Sequence, residues 1–126
     1  MTKLNLTLLV CAGGAGAFCR WGLAGLVQRL AGERFPLGTM AVNLLGCLLF
    51  GFVWGYLENR IGLSPQTRTI VLTGFMGAFT TFSTYAFETA TLLQGGQYFA
   101  AFANVAVMTV LGVALVFAGL AAGQAL

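Results

Sequence analysis

Four long apolar segments, separated by short polar connections, run through almost the whole chain. They cover roughly residues 4–30, 38–57, 69–93 and 98–122. A helix needs about 20 predominantly apolar residues to cross the hydrocarbon core of a bilayer. The pattern therefore predicts an all-α membrane protein with four transmembrane helices, which form a single transmembrane domain over residues 1–126.

The composition supports this prediction and leaves no room for a soluble domain. Of the 126 residues, 59% are hydrophobic and only 7% are charged, whereas soluble domains carry about 25% charged residues. The six basic residues are scattered singly, so the net charge of +3 does not indicate nucleic-acid binding. The chain has no histidine, and its cysteines, Cys11, Cys19 and Cys47, lack the spacing of a zinc site. We interpret the N-terminal apolar run as a first span and not as a cleaved signal peptide.

The third apolar segment differs most from a simple membrane anchor. Gly74–Glu88 reads GFMGAFTTFSTYAFE and combines glycines, hydroxyl groups, aromatic rings and one acid. Such groups at membrane depth are typical of backbone that leaves the helix and lines a cavity. We therefore predict a helix break near Gly77–Thr81, whose freed carbonyl oxygens could coordinate Na⁺. A plain helix–helix contact held by hydroxyl groups and small residues is the open alternative.

Polar side chains also occur in the other spans. Arg20 lies too deep in the first span for an ordinary loop charge, and a charge at the helix centre costs about 2.5–3.5 kcal/mol. It is expected to face a water-filled cavity, a carbonyl cluster or a partner, unless it snorkels to the interface. In the second span Thr39 and Asn43 share one helical face, as do Asn104 and Met108 in the fourth. The Asn43 amide either bonds another helix or offers its N–H to a permeating anion.

The charges at the ends of the spans hardly favour one orientation in the membrane. One side would hold Lys3, Arg60 and Arg68, and the other side would hold Arg29 and Arg34. An excess of positive charge on the cytoplasmic side normally fixes topology. The near balance predicts a dual-topology protein whose subunits pair antiparallel, a hypothesis that fails if tagged termini report one exclusive orientation.

Three stretches together resemble, in order and spacing, the signatures of the Fluc fluoride channels, also called CrcB. They are GAGAFCRW, GTMAVNLLG and GFMGAFTTFSTYAFE, and the resemblance covers the whole chain. It implies an antiparallel dual-topology homodimer with two fluoride pores in the plasma membrane of a bacterium, the inner membrane if the cell is Gram-negative. It also implies a structural Na⁺ at the dimer interface, held by backbone carbonyls of the broken third helix. No organic cofactor and no enzymatic activity are expected.

The resemblance also assigns roles to individual residues. It places Asn43 in the pore and Phe82 at the aromatic position whose ring edge faces the ion. Gly77 and Thr80 match the positions whose carbonyl oxygens hold Na⁺. The remaining candidate pore residues are Thr39, Ser83, Arg20, Tyr85, Asn104, Met108 and Glu88.

Two candidate positions depart from the family pattern. Tyr85 stands where many members have a second phenylalanine, so the aromatic pair gains a hydroxyl group. Met108 stands where members often have a serine, so the polar side of the fourth span loses a hydroxyl group. Thr109 is adjacent to Met108 but lies about 100° round the helix, which leaves open whether it compensates.

The expected function is passive, fluoride-selective export that gives fluoride resistance. Fluoride is small and strongly hydrated, so a pore must replace its water with strong hydrogen-bond donors. The candidate donors are the Asn43 amide, the Ser83 and Thr80 hydroxyl groups and the charge of Arg20. Aromatic ring edges are weakly positive and suit sites that an ion must also leave. Because HF enters cells and ionises in neutral cytoplasm, a passive pore lets the trapped fluoride leave down the membrane potential.

Two other functions stay open at this level. A small proton-coupled exporter of cationic drugs is also a four-span antiparallel dimer, but it needs an acid at mid-membrane. Glu88 is the only acid within a span and lies near its end, where it could simply cap the helix or pair with an arginine. A non-transporting structural subunit, in which Phe82 and Tyr85 only pack, would leave Asn43 and Thr80–Thr84 unexplained.

Overall fold

A computed structural model describes residues 1–58, 60 and 63–126, and the elements it describes are all helical. They are α1 (Lys3–Ala31), α2 (Leu37–Glu58), α3 (Pro65–Arg68), a π-helical segment (Thr69–Met76), α4 (Gly77–Phe79), α5 (Phe82–Gln94) and α6 (Tyr98–Gln124). Four units are long and apolar enough to cross a membrane: Lys3–Ala31, Leu37–Glu58, Pro65–Gln94 and Tyr98–Gln124. The predicted all-helical, four-span architecture is therefore confirmed. The polar connection expected after the second span includes positions 59, 61 and 62, which lie outside the described residues.

The first connection is fixed by one glutamine side chain. Gly32 ends α1 with a φ of 85°, a conformation that glycine adopts without strain. The Gln28 side-chain amide then donates to the Phe35 carbonyl at 3.0 Å and accepts from the Gly38 N–H at 3.0 Å. The second of these bonds satisfies the Gly38 N–H, one of the first N–H groups of α2, which have no partner within the helix.

The third span begins at Pro65, four residues before the predicted start at Thr69. The Ser64 side chain accepts a hydrogen bond from the Thr67 N–H at 3.2 Å, and Pro65 occupies the first helical position. Serine before a helix and proline at its first residue are both strong start signals. The residues of this first turn are polar, so the hydrophobic pattern does not include them in the span. The capping residues Ser64 and Pro65 nevertheless indicate the helix start.

Helices α2 and α6 pack closely against each other through glycines. Gly51 and Gly55 of α2 face Gly119 and Gly123 of α6 across the contact. A Cβ atom built on any of the four would collide with main-chain atoms of the opposite helix. The main chains therefore lie close together, as small residues permit in membranes.

The π-helical segment packs mainly against α1. The Gly77 N–H at its end contacts the Leu72 carbonyl five residues back, and a Cβ atom on Gly16 of α1 would collide with the Phe75 carbonyl. π-Helical turns are rare and occur frequently at functional sites. This segment leads directly into the part of the third span that is not helical.

Candidate functional site

Two residues inside the third span, Thr80 and Thr81, have extended backbone. Their φ and ψ angles are −94° and 160° at Thr80 and −150° and 111° at Thr81. Gly77–Phe79 before them is helical, and α5 begins after them with Thr81 as its N-cap, because the Thr81 side chain accepts from the Thr84 N–H at 3.3 Å. Backbone polar groups that leave a helix at this depth need other partners.

Asn43 of α2 provides those partners through a reciprocal pair of hydrogen bonds. The Thr81 N–H donates to Asn43 Oδ1 at 2.7 Å, and Asn43 Nδ2 donates to the Thr81 carbonyl at 2.9 Å. The Asn43 side chain is only 6% exposed, so both bonds are shielded from competing water. In a continuous α-helix the Thr81 N–H would bond the Gly77 carbonyl. Here that N–H is bonded to α2 instead.

Gly46, one turn after Asn43, lets Thr80 approach α2. A Cβ atom on Gly46 would collide with Thr80 Cγ2. The Thr80 hydroxyl donates to the Met76 carbonyl at 3.1 Å, which fixes the side chain in this position. Its hydrogen is therefore used within the subunit in this structure, and donation by this hydroxyl group to an anion stays a prediction.

We expect Gly46→Ala to destabilise the protein by about 1–3 kcal/mol, because an added methyl in a filled space forces its neighbours to move. Thr80 cannot rotate away without losing its bond to Met76. Thermal unfolding in detergent measures the effect. Gly14→Ala is the matched control, since a Cβ atom there meets no atom within 4 Å. Equal melting temperatures for the two variants would contradict the close contact between Gly46 and Thr80.

The break faces an open groove between α2, α5 and α6 with a volume of about 390 Å³. Phe82 is 78% exposed there, although it lies at the start of α5. Its ring centroid is 5.6 Å from that of Tyr85, with the ring planes inclined by 55°. The groove is lined by Asn43, Gly46, Cys47, Phe50, Thr80, Thr81, Phe82, Tyr85, Met108, Thr109 and Val116. Five candidate residues thus meet in one place, namely Asn43, Thr80, Phe82, Tyr85 and Met108.

Two further candidates, Thr39 and Glu88, meet beside a second groove. The Thr39 hydroxyl donates to Glu88 Oε1 at 2.7 Å and joins α2 to α5. Within the described part of the chain the buried Glu88 Oε2 has no hydrogen-bond partner. Glu88 lines a groove of about 310 Å³ together with Glu33 and Arg34 of the first connection. These residues occupy a polar opening that is separate from the groove at the break.

The other candidates lie outside the groove at the break. Asn104 is only 2% exposed and donates from Nδ2 to Thr89 Oγ1 at 3.0 Å. Arg20 is half-buried and lines neither groove. Ser83 is exposed, with its hydroxyl 3.4 Å from the Thr81 hydroxyl. Gly77 is also exposed and ends the π-helical segment.

Several groove residues were not among the sequence candidates. Cys47 and Phe50 lie four and seven residues after Asn43, which places them on the same helical face. Thr81, the partner of Asn43, is a residue type preferred at N-caps. It therefore indicates a second helix start inside the third span. The partnership between Thr81 and Asn43, by contrast, has no sequence signal, because the two residues are 38 positions apart.

These features define a class: a four-span helical membrane protein in which a side-chain amide bonds extended backbone within one span, beside a groove with aromatic rings. Within the described residues no three histidine, cysteine, aspartate or glutamate side chains cluster as metal ligands would.

The family model for "CrcB-like protein, Camphor Resistance (CrcB)" matches residues 7–120. The chain is 55% identical over 120 residues to the "Fluoride-specific ion channel FluC" of Nitratidesulfovibrio vulgaris strain Miyazaki F, covering 95% of this chain and 97% of that protein. Identity to proteins of the same description is 48% over 118 residues in Maridesulfovibrio salexigens, covering 93% of this chain and 94% of that protein. The chain therefore belongs to the CrcB-like family, which confirms the resemblance. It is a multi-pass protein of the bacterial plasma membrane.

Proposed function

We propose that this chain is a fluoride-selective channel that passively exports cytoplasmic fluoride and gives resistance to it. Proteins that match nearly its full length, at 55% and 48% identity, are described as fluoride-specific ion channels. The observation that carries the proposal is the groove in which the Asn43 amide, the backbone break and the exposed Phe82 ring lie side by side.

The donors in this groove suit a small anion that must be bound and released. Asn43 Nδ2 has two hydrogens, and one of them is used on the Thr81 carbonyl. The second has no partner among the described residues and is free for an anion. The edges of the Phe82 and Tyr85 rings carry partial positive charge and add weak contacts. Weak contacts next to a hydrogen-bonding site allow the ion to enter and also to leave.

A second copy of the chain completes the groove in this proposal. The groove is open on one side, and Phe82 is largely uncovered. In hydrocarbon an uncovered backbone break would be costly, because lipid offers no hydrogen bonds. The near balance of basic residues between the two ends of the spans favours an antiparallel partner, which would form a dual-topology homodimer with two pores.

The backbone at the break also fits a structural Na⁺. The Thr81 N–H bonds Asn43, so it does not occupy the Gly77 carbonyl, and the Thr80 carbonyl lies in extended backbone. Carbonyl oxygens of unwound transmembrane helices are suitable Na⁺ ligands. Two such oxygens from each copy, Gly77 O and Thr80 O, would hold the ion at the dimer interface. Bound there, Na⁺ supplies a fixed positive charge that ties the broken spans together.

Export follows from the membrane potential and needs no energy coupling. A negative interior at 100 mV favours outward movement of a univalent anion by about 2.3 kcal/mol. Fluoride trapped by ionisation of HF in neutral cytoplasm therefore leaves through a passive pore. Within the described residues the groove contains no carboxylate that could exchange protons, which favours a channel over a proton-coupled exporter.

Fluoride efflux from liposomes tests the proposal. The purified protein is reconstituted in Na⁺-containing buffer into liposomes loaded with potassium fluoride, and valinomycin lets K⁺ follow the anion. A fluoride-selective electrode records the loss. Liposomes loaded with potassium chloride and protein-free liposomes are run in parallel. We expect rapid fluoride loss and no chloride loss above the protein-free background.

Fluoride retention by correctly folded protein would refute the channel. Equal loss of fluoride and chloride would refute selectivity alone. In the first case proton-driven transport of a cationic dye is the next assay, because it separates the drug exporter from a structural subunit.

A further inference from the structure

The Thr81 N–H has two possible partners, and the choice between them changes the Gly77 carbonyl. It donates to Asn43 Oδ1 in the structure. Helical closure of the break would bring it to the Gly77 carbonyl. Thr81 is itself buried, so a backbone N–H without any partner would be costly. Of these two partners, Asn43 is the one that satisfies this N–H while leaving the Gly77 oxygen without a helical donor.

We propose that Asn43 is a positioning residue for the cation site: by holding the Thr81 N–H on α2, it keeps the Gly77 carbonyl open to Na⁺. This inference rests on the Na⁺ site of the proposed function and adds to the pore role of the same residue. Asn43 thus acts twice, with Oδ1 and one Nδ2 hydrogen fixing the break and the other Nδ2 hydrogen facing the groove. Its contribution to cation binding is separable from its contribution to anion conduction.

Asn104 provides a matched comparison within the same chain. Both asparagines are buried, and both donate from Nδ2 to another transmembrane segment. The partner of Asn104 is the Thr89 hydroxyl, a side chain in α5, whereas the partner of Asn43 is the backbone of the break. Removing Asn104 therefore deletes a part-buried helix–helix bond without releasing the Thr81 N–H.

The test measures thermal unfolding in detergent while Na⁺ replaces N-methyl-D-glucamine at constant ionic strength. A ligand that binds only the folded state raises the melting temperature with its concentration. We expect Asn43→Ala to need about tenfold more Na⁺ for half of the stabilisation, the equivalent of about one hydrogen bond. Asn104→Ala should melt lower at every Na⁺ concentration, with the half-saturating concentration unchanged. Asn43→Asp retains an acceptor for the Thr81 N–H and should bind Na⁺ no more weakly than the parent.

Hydrogen exchange of the Thr81 amide tests the same inference in the parent protein, without any variant. We expect it to be protected with and without Na⁺; a bond to the Gly77 carbonyl would protect it equally, so only the dependence of protection on Na⁺ is decisive. Protection that appears only with Na⁺ would overturn the inference, since the ion would then order the break. The inference would also be overturned if Asn43→Ala had the same half-saturating Na⁺ concentration as the parent. It would be overturned as well if the melting temperature of the parent did not change with Na⁺. Because none of these readouts uses fluoride, they are independent of whether the efflux experiment succeeds.

Discussion

Replacing Phe82 by isoleucine is expected to slow fluoride efflux by at least about tenfold, while the protein folds and assembles normally. Isoleucine has an aliphatic side chain but no ring edge of positive potential. The loss of an edge contact worth about 1.4 kcal/mol raises the barrier enough for a tenfold change in rate. Phe82 is 78% exposed in the subunit, so the substitution disturbs little packing within it. The rate is measured by electrode in the liposome assay.

Phe99→Ile is the control for this prediction. Phe99 is 85% exposed at the start of α6 and lines neither the groove at the break nor the groove at Glu88. The same substitution there should leave fluoride efflux within about twofold of the parent, a difference of about 0.4 kcal/mol in the barrier. If Phe82→Ile conducts like Phe99→Ile, the ring of Phe82 is a packing group and not part of the ion path.

Gly119→Ala should have the largest effect on stability of any single methyl considered for this chain, lowering the free energy of unfolding by about 2–3 kcal/mol. The new Cβ atom would collide with the Leu48 carbonyl oxygen and lie 2.7 Å from the Phe52 nitrogen. Main-chain atoms cannot rotate aside, so α2 and α6 would have to separate. Since α2 carries Asn43, we also expect weaker fluoride efflux. Thermal unfolding in detergent and efflux together measure the result.

Gly112→Ala is the matched control because it makes the same substitution in the same helix. Its Cβ atom would lie 3.5 Å from Cys47 Sγ, an ordinary contact with a side chain. Alanine is also a better helix former than glycine by about 1 kcal/mol. This variant should therefore be at least as stable as the parent. Comparable destabilisation of both variants would show that loss of glycine in α6, and not main-chain contact, is responsible.

The sequence predicted the number of spans and the family because both depend on local information. The length of an apolar run determines whether it can span a bilayer, and the family motifs are contiguous. It also indicated a change of conformation near Gly77–Thr81, because hydroxyl-rich residues beside glycine are unusual in a lipid-facing helix. The four packing glycines could be recognised by spacing, although their partners could not.

The details of the site depend on contacts between residues far apart in sequence. Asn43 could equally have bonded a neighbouring helix or an anion, and only the fold brings it to the Thr81 backbone. Asn104 is the same residue type and also lies within a span, yet its amide reaches the Thr89 side chain. The π-helical segment Thr69–Met76 packs mainly against α1 and has no simple sequence pattern.

The open groove at the break has a consequence for the synthesis and membrane insertion of the protein. A newly inserted subunit carries extended backbone and a buried amide next to an open groove. Acyl chains that enter this groove offer no hydrogen bonds. In the proposed dimer a second copy covers this groove, so the stability of a new subunit depends on how soon it pairs. Because encounters between two subunits scale with the square of their concentration, mature protein should accumulate more steeply than its rate of synthesis. Weak expression of the gene would then yield disproportionately little channel.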